Sequence, residues 1–159
     1  MKVSLLTNPI HLLAFGFGSG LSPKAPGTFG TLAALVPWYF MATLSLPVYC
    51  AILVLACLAG NYICGKSSEL LGVHDHGGIV WDEFCGLWIA LIAVPISLGP
   101  VLLGFALFRV FDILKPWPIG LLDKKLKGGF GIMMDDILAG ILSAVILQWA
   151  IYAFPDVLL

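Results

Sequence analysis

DDILAGILSAVILQWAIYAF, residues 135–154, opens on two aspartates and then runs for eighteen residues without another charge. About 20 consecutive apolar residues are what a helix needs to cross the hydrocarbon core of a bilayer. Backbone in lipid must satisfy its own hydrogen bonds, so a segment of this kind is helical. Reading back towards the N-terminus, four more apolar segments stand out, roughly 31–45, 48–65, 84–98 and 101–114. The breaks between them carry proline and glycine signals: Leu46-Pro47, the loop Gly65–Asp82, Gly99-Pro100, and Lys115–Asp135 with its Pro116, Pro118 and Gly128-Gly129-Phe130-Gly131. The pattern predicts an all-α polytopic membrane bundle with about five membrane segments, in a single domain over residues 1–159. Several segments fall short of a full crossing, so one or two are expected as half-spans or tilted hairpin arms. Residues 9–18 and Ile119–Leu126 are expected as short surface helices, the second amphipathic.

Composition demands the same class. Of the 159 residues 60% are hydrophobic and only 11% charged, with a mean hydropathy of +1.05. Soluble domains carry roughly 25% charged residues and at most about half apolar ones, so lipid must cover part of this surface. The net charge of -1 offers no basic arm for nucleic acid. No cleavable signal peptide is evident after Lys2, where Pro9, His11 and several glycines interrupt any apolar core. Cys50, Cys57 and Cys64 recur every seven residues along one stripe of a helix. Neighbours on it lie roughly 10 Å apart, too far for a disulfide, and they read as small packing residues.

The charges are distributed unevenly on this topology. All eight basic residues, Lys2, Lys24, Lys66, Arg109, Lys115, Lys124, Lys125 and Lys127, fall on one side of the expected membrane, and the turns at 46–47 and 99–100 carry none. The positive-inside rule makes that side cytoplasmic. Glu69, Asp75, Asp82, Glu83, Asp112, Asp123, Asp135 and Asp136 belong to it too, with Asp156 alone at the opposite end. Acidic residues contribute little to orientation, so carboxylates and cations mixed on one face point to a site.

Three stretches could carry its chemistry. Gly16-Phe17-Gly18-Ser19-Gly20-Leu21-Ser22-Pro23-Lys24-Ala25-Pro26-Gly27-Thr28 is glycine-rich ahead of a helix start, as an anion cradle requires. It fits neither the P-loop nor the dinucleotide spacing, and a flexible connector ending in a helix cap reads equally from it. His74-Asp75-His76-Gly77-Gly78-Ile79-Val80-Trp81-Asp82-Glu83 leads into the third segment. Asp82 and Glu83 either cap that helix or supply oxygen ligands to Mg²⁺. His74-x-His76 lacks zinc spacing, leaving hydrogen-bonding, acid/base or plain loop roles. Arg109 and Asp112 share a helix face three residues apart, as a packing ion pair or as part of a site, since ionisable groups in a membrane segment mark function by default. Asp135-Asp136 is expected to open the last helix, where capping needs only one of the two.

With a cytoplasmic N-terminus, segments one, three and five all begin at the cytoplasmic face. Their positive dipole ends would meet Lys24, Arg109 and Lys115 in a pocket suited to a phosphate dianion. Asp82, Glu83, Asp112, Asp135 and Asp136 would hold Mg²⁺ against it.

At these residues the chain resembles the phosphatidylglycerophosphatase A family of bacterial membrane phosphatases. The matching pieces are Gly18-Ser19-Gly20-Leu21-Ser22-Pro23 with Pro26-Gly27-Thr28, Asp75-His76-Gly77 with Ile79-Val80-Trp81-Asp82-Glu83, Phe108-Arg109 with Phe111-Asp112, Lys115-Pro116-Trp117-Pro118, and Gly128-Gly129-Phe130-Gly131-Ile132 with Asp135-Asp136. They cover nearly the whole chain in order. The resemblance implies Mg²⁺-dependent hydrolysis of phosphatidylglycerol phosphate to phosphatidylglycerol and inorganic phosphate, in a multi-pass protein of the bacterial inner membrane with its active site facing the cytoplasm. Rival phosphatase chemistries fit poorly: Cys85 is followed six residues later by Leu91 rather than arginine, the histidine-phosphatase boxes are missing, and Asp135-Asp136 is not Asp-x-Asp. Direct attack by water remains, with Asp82, Asp136 or His76 to take a proton; a phosphoenzyme through Thr28 or Ser19 is the lesser course. Trp81, Trp117 and Phe130 are either interfacial anchors or buried in the bundle. The competing reading of the whole chain is a small polytopic membrane transporter.

Overall fold

Prolines and glycines set where the long helices begin. The computed structural model describes residues 3–159; Lys2, counted above among the basic residues, lies outside them. Regular structure among the described residues is entirely helical. After a short 3-10 turn, Asn8 caps α1 (Pro9–Ala14) by accepting the Ile10 N–H at 2.9 Å. A second 3-10 turn over Gly16–Leu21 leads to α2 (Pro26–Met41). Then follow α3 (Leu46–Leu71), α4 (Trp81–Ala90), α5 (Leu98–Leu114), α6 (Ile119–Lys125), α7 (Gly128–Ala153) and α8 (Pro155–Leu158). Proline at the first helical positions of α2 and α3 loses no hydrogen bond, because those N–H groups have no partner within a helix.

Two helices, α3 and α7, are long and apolar enough to cross a membrane, each with 26 residues and mean hydropathies of 1.9 and 2.0. The five crossings expected from sequence are corrected to these two on length. At 1.5 Å per residue α2 and α5, with 16 and 17 residues, reach only about 24–26 Å, against ~30 Å of hydrocarbon. The segment expected over 84–98 differs most. Its helix α4 ends at Ala90, Ala93 takes a left-handed φ of 55°, and Val94 precedes Pro95, which disfavours helix at that position. Ten residues give a half-crossing of about 15 Å.

This short helix is the core of the molecule. Phe84, Cys85, Gly86, Leu87 and Trp88 are all buried in succession, so α4 is covered on every side. The Trp88 indole donates to the Ala34 carbonyl of α2 at 2.9 Å, and the Tyr49 hydroxyl of α3 donates to the Trp88 carbonyl. α7 lies along α4 at backbone distance: a Cβ on Gly140 would stand 2.4 Å from the Gly86 carbonyl oxygen. The outer surface is apolar in turn, with Phe40, Leu55, Leu58, Leu102 and Val145 exposed, and only 22% of the apolar window of α3 is buried.

The packing gathers the charges at one end. Gly65 of α3 backs onto Gly129 of α7, Gly30 of α2 meets Val80 ahead of α4, and Phe108 of α5 covers Gly86. The late turns of α3 and α5 therefore join the starts of α2, α4 and α7. Asp156 is at the other end, where Leu158 folds against Gly99.

Candidate active site

Two backbone features bring α2 against α4. Ala25 takes a left-handed φ of 45° and turns the chain into Pro26 and Gly27. A Cβ on Gly27 would stand 2.5 Å from Glu83 Oε1 and 3.0 Å from Arg109 Nη2, so only glycine lets this turn close on both side chains. One turn on, the buried Thr31 hydroxyl lies 2.8 Å from the Gly27 carbonyl oxygen and 3.3 Å from Glu83 Oε2. Its single proton is shared between these two acceptors, with the nearer Gly27 carbonyl the stronger partner.

α4 contributes Asp82 and Glu83 in its first turn, where the residue before the helix, Val80, has no side chain to cap it. α5 contributes Arg109 and Asp112 one turn apart. The guanidinium pairs with Asp112 and stands 3.5 Å from Glu83 Oε1, with all three side chains 15% exposed or less. α7 contributes Asp136, only 2% exposed.

Oxygen atoms of Glu83, Asp112 and Asp136 lie within 4.8 Å of one another. Two ligands of one octahedral Mg²⁺ lie at most about 4.2 Å apart, so the triad has the size one ion spans after small side-chain rotations. Its charge also fits. Three carboxylates face one guanidinium, and the buried Oδ2 of Asp136 has no hydrogen-bond partner. Buried charges without partners are costly, and a hard divalent cation would satisfy both the orphaned oxygen and the excess negative charge.

Known proteins have similar sequences. The phosphatidylglycerophosphatase A family pattern matches residues 12–151. The chain belongs to the phosphatidylglycerophosphatase A family. A phosphatidylglycerophosphatase A of Escherichia coli (strain K12) is 50% identical over 151 residues, covering 94% of this chain and 88% of its own. One from Haemophilus influenzae is 52% identical over 147 residues, covering 91% and 90%. A Bacteroides thetaiotaomicron protein, 42% identical over 88% of this chain and 94% of its own, is provisionally named for a different headgroup, as a phosphatidylinositol-3-phosphatase. No solved structure matches the chain. The chain is thus a phosphatase by descent, and neither its relatives nor its one-ended charges favour a transporter.

Within this phosphatidylglycerophosphatase A fold the carboxylates expected as metal ligands divide. Glu83, Asp112 and Asp136 form the triad; Asp82 and Asp135 stand outside it. Asp82 is buried with an unpartnered Oδ1, and Asp135 is held by Lys115 at 2.6 Å. Asp135 and Asp136 do not open a helix as expected, since α7 begins at Gly128, two turns earlier. The capping reading falls with that. The starts of α2, α4 and α7 do share one end of the bundle, but Asp136 is about 12 Å along the axis from the beginning of α7, so the free N–H groups of that helix stand away from the triad.

The cations divide as well. Arg109 faces the triad. Lys115 is held by Asp135 and by Asp123 at 3.1 Å. Burial disfavours its ammonium, but the two carboxylates outweigh that and keep its pKa above the usual lysine range. Lys24 is exposed on the loop before α2 and makes no ion pair among the described residues. Thr28 is half-buried in the first turn of α2. The Ser19 hydroxyl donates to the Gly16 carbonyl at 2.8 Å within its own turn. His76 accepts the Gly78 N–H at 3.0 Å and packs on Phe15, while His74 accepts the Gly128 N–H at 3.2 Å, so both imidazoles tie down the loop. Of the aromatic candidates, Trp81 is half-buried, donating to the Ala56 carbonyl at 3.1 Å, whereas Trp117 and Phe130 are exposed. The sequence reading passed over Thr31 and the pairing role of Asp123. A threonine inside an apolar helix carries no signal of its own, because bonding to the carbonyl four residues back is its ordinary use.

Proposed function

We propose that the chain is a Mg²⁺-dependent lipid phosphatase that hydrolyses phosphatidylglycerol phosphate to phosphatidylglycerol and inorganic phosphate at the cytoplasmic face of the bacterial inner membrane. The observation that carries this reading is the convergence of Glu83, Asp112 and Asp136 beside Arg109 at the basic end of an apolar bundle. A multi-pass topology in which α3 and α7 cross in full, α2 and α5 enter the bilayer as shorter segments and α4 is a covered half-crossing agrees with the exposed apolar residues on the four longer helices and with the positive-inside rule.

Glu83, Asp112 and Asp136 would hold the ion, which would supply positive charge to the phosphoryl oxygens and acidify a water molecule. Arg109 stabilises the charge that develops on those oxygens, with the free N–H groups of the first turns of α2 and α4 beside it. Asp82, outside the triad with an unpartnered buried oxygen, takes the proton from the attacking water. The new bond forms from the water oxygen to phosphorus as the bond to the glycerol oxygen breaks. The glycerol oxygen takes a proton from solvent as it departs, Asp82 gives its own proton back to solvent, and the lipid alcohol leaves with its acyl chains still in the bilayer. Lys24, exposed ahead of α2, draws the dianion in.

Phosphate release by the purified protein in detergent tests this, from phosphatidylglycerol phosphate, phosphatidic acid and phosphatidylinositol 3-phosphate, with Mg²⁺ or with EDTA. Metal-dependent release that prefers the first substrate is the expected result. Preference for the inositol lipid would reassign the headgroup, and no release from any lipid by folded, metal-loaded protein would overturn the reading.

A further inference from the structure

The connection between α5 and α7 carries surface that the hydrolytic site does not use. Ile113, Leu114, Trp117 and Leu121 are 64%, 73%, 82% and 42% exposed, an apolar patch at the basic end of the bundle. Immediately beyond it Lys124, Lys125 and Lys127 are exposed and make no ion pair among the described residues. Lys124 and Lys127 line a cavity of about 360 Å³ together with His74, Asp123 and Leu126. Asp123 is the acid on that wall, and Lys115 already neutralises it at 3.1 Å. The cavity therefore keeps a net positive charge.

We propose that the Ile113–Lys127 connection lies in the bilayer interface and that the cavity between Lys124, Lys127 and His74 holds the headgroup of an anionic phospholipid other than the substrate. Two features of one surface select that occupant. Unmatched lysines attract the anionic lipid leaflet, and the adjoining Leu114, Trp117 and Leu121 enter the headgroup and acyl boundary, where amphipathic segments with basic faces settle. A free anion would satisfy the lysines and leave the apolar patch in water. The bound lipid would fix the height of α6 and hold the active-site end at the membrane surface. The inference rests on the chain being a bilayer protein and is independent of the reaction it catalyses.

The test places the purified full chain in mixtures of phosphatidylcholine and phosphatidylglycerol, with one or the other brominated so that it quenches tryptophan fluorescence on contact. The difference between the natural chain and Trp117→Phe isolates the signal of Trp117. Brominated phosphatidylglycerol is expected to quench at a lower mole fraction than brominated phosphatidylcholine. The preference is expected to fall about fivefold for each lysine lost in Lys124→Gln and Lys127→Gln, the equivalent of ~1 kcal/mol per cation at an anionic surface. Lys124→Arg with Lys127→Arg should keep it. Persistent quenching by phosphatidylcholine in every variant reports a folded, inserted chain. Equal quenching by both lipids in the natural chain would overturn the proposal, as would a preference that survives loss of both lysines. Abolition of the preference by inorganic phosphate, at constant ionic strength, would assign the cavity to free phosphate and overturn it too. None of these outcomes depends on hydrolysis, so an inactive but lipid-selective protein would separate this proposal from the phosphatase reading.

Discussion

Arg109 Nη1 stands 3.5 Å from Glu83 Oε1, so a single guanidinium ties the last turn of α5 to the first turn of α4. The same group pairs with Asp112 one turn along its own helix. Among the described residues it is the cation paired with this group of three carboxylates, whose oxygens lie within 4.8 Å of each other. Lysine keeps the charge but is a point donor on a flexible stem and cannot span two carboxylates as the planar fork does. Arg109→Lys is therefore expected to lower kcat by roughly 10²–10³, the usual cost of one preorganised donor at a developing oxyanion, in protein that still elutes as a single species. Steady-state phosphate release checks it; an unchanged kcat would reduce Arg109 to a packing residue.

Asp136 is 2% exposed and has an oxygen without a partner. If the triad holds a metal, binding must stabilise the fold. A ligand at 100 times its dissociation constant adds about 2.7 kcal/mol. Thermal unfolding in detergent is expected to shift upward with Mg²⁺ and downward with EDTA for the natural chain. In Asp136→Asn the two curves should coincide. A metal-induced shift of equal size in that variant would place the ion elsewhere.

Much of this site could be read from the sequence because membrane physics leaves few places for charge. Arg109, Asp112 and Asp136 sit in apolar runs where an ionisable group requires a partner, and that requirement alone marks them. Helix ends were less legible. Gly128-Gly129-Phe130-Gly131 reads as a break, since glycine costs a helix about 1 kcal/mol relative to alanine. In the fold it is the first turn of α7, because a Cβ on Gly129 would stand 1.7 Å from the Asn61 carbonyl oxygen of α3. Close packing of two helices overrides local propensity there, and a single sequence does not announce its partner. The same limit hid the shortness of α4, whose end at Ala90 precedes an apolar run that continues to Val94. Asp82 and Asp135 look the same in sequence as Glu83 and Asp136. Only the rotation of α4 and α7 about their axes separates the triad from its neighbours.

Thr31 offers a test of support rather than of ligation. Its hydroxyl lies 3.3 Å from Glu83 Oε2 and 2.8 Å from the Gly27 carbonyl oxygen. Groups that orient a metal ligand typically change metal affinity by 10–100-fold when removed. Thr31→Val, nearly isosteric, is expected to raise the Mg²⁺ concentration for half-maximal activity by about that factor while leaving kcat at saturating metal close to normal. Thr31→Ser should restore the natural value. A uniform loss of kcat with unaltered metal dependence would show that Thr31 only packs.

Gly27 sets two opposed effects against each other, and their sizes decide the outcome. Its φ is not in the left-handed region, so alanine is compatible with the backbone there and would favour the helix by up to about 1 kcal/mol. The added Cβ, however, would stand 2.5 Å from Glu83 Oε1 and 3.0 Å from Arg109 Nη2. Overpacking of this kind costs typically 1–3 kcal/mol, and here the atoms displaced are those that hold the triad together. Gly27→Ala is expected to lower thermal stability modestly and to weaken Mg²⁺-dependent turnover more severely than its effect on unfolding would suggest. Gly77 supplies the control, because a Cβ there meets nothing within 4 Å and its φ is also outside the left-handed region. Gly77→Ala should leave unfolding within about 0.5 kcal/mol of the natural chain, as substitutions away from packed features do. Parallel melting curves and Mg²⁺ titrations of the two variants separate a crowded site from a general intolerance of alanine. Equal behaviour of the two would mean that α2 can draw back from Glu83 without consequence.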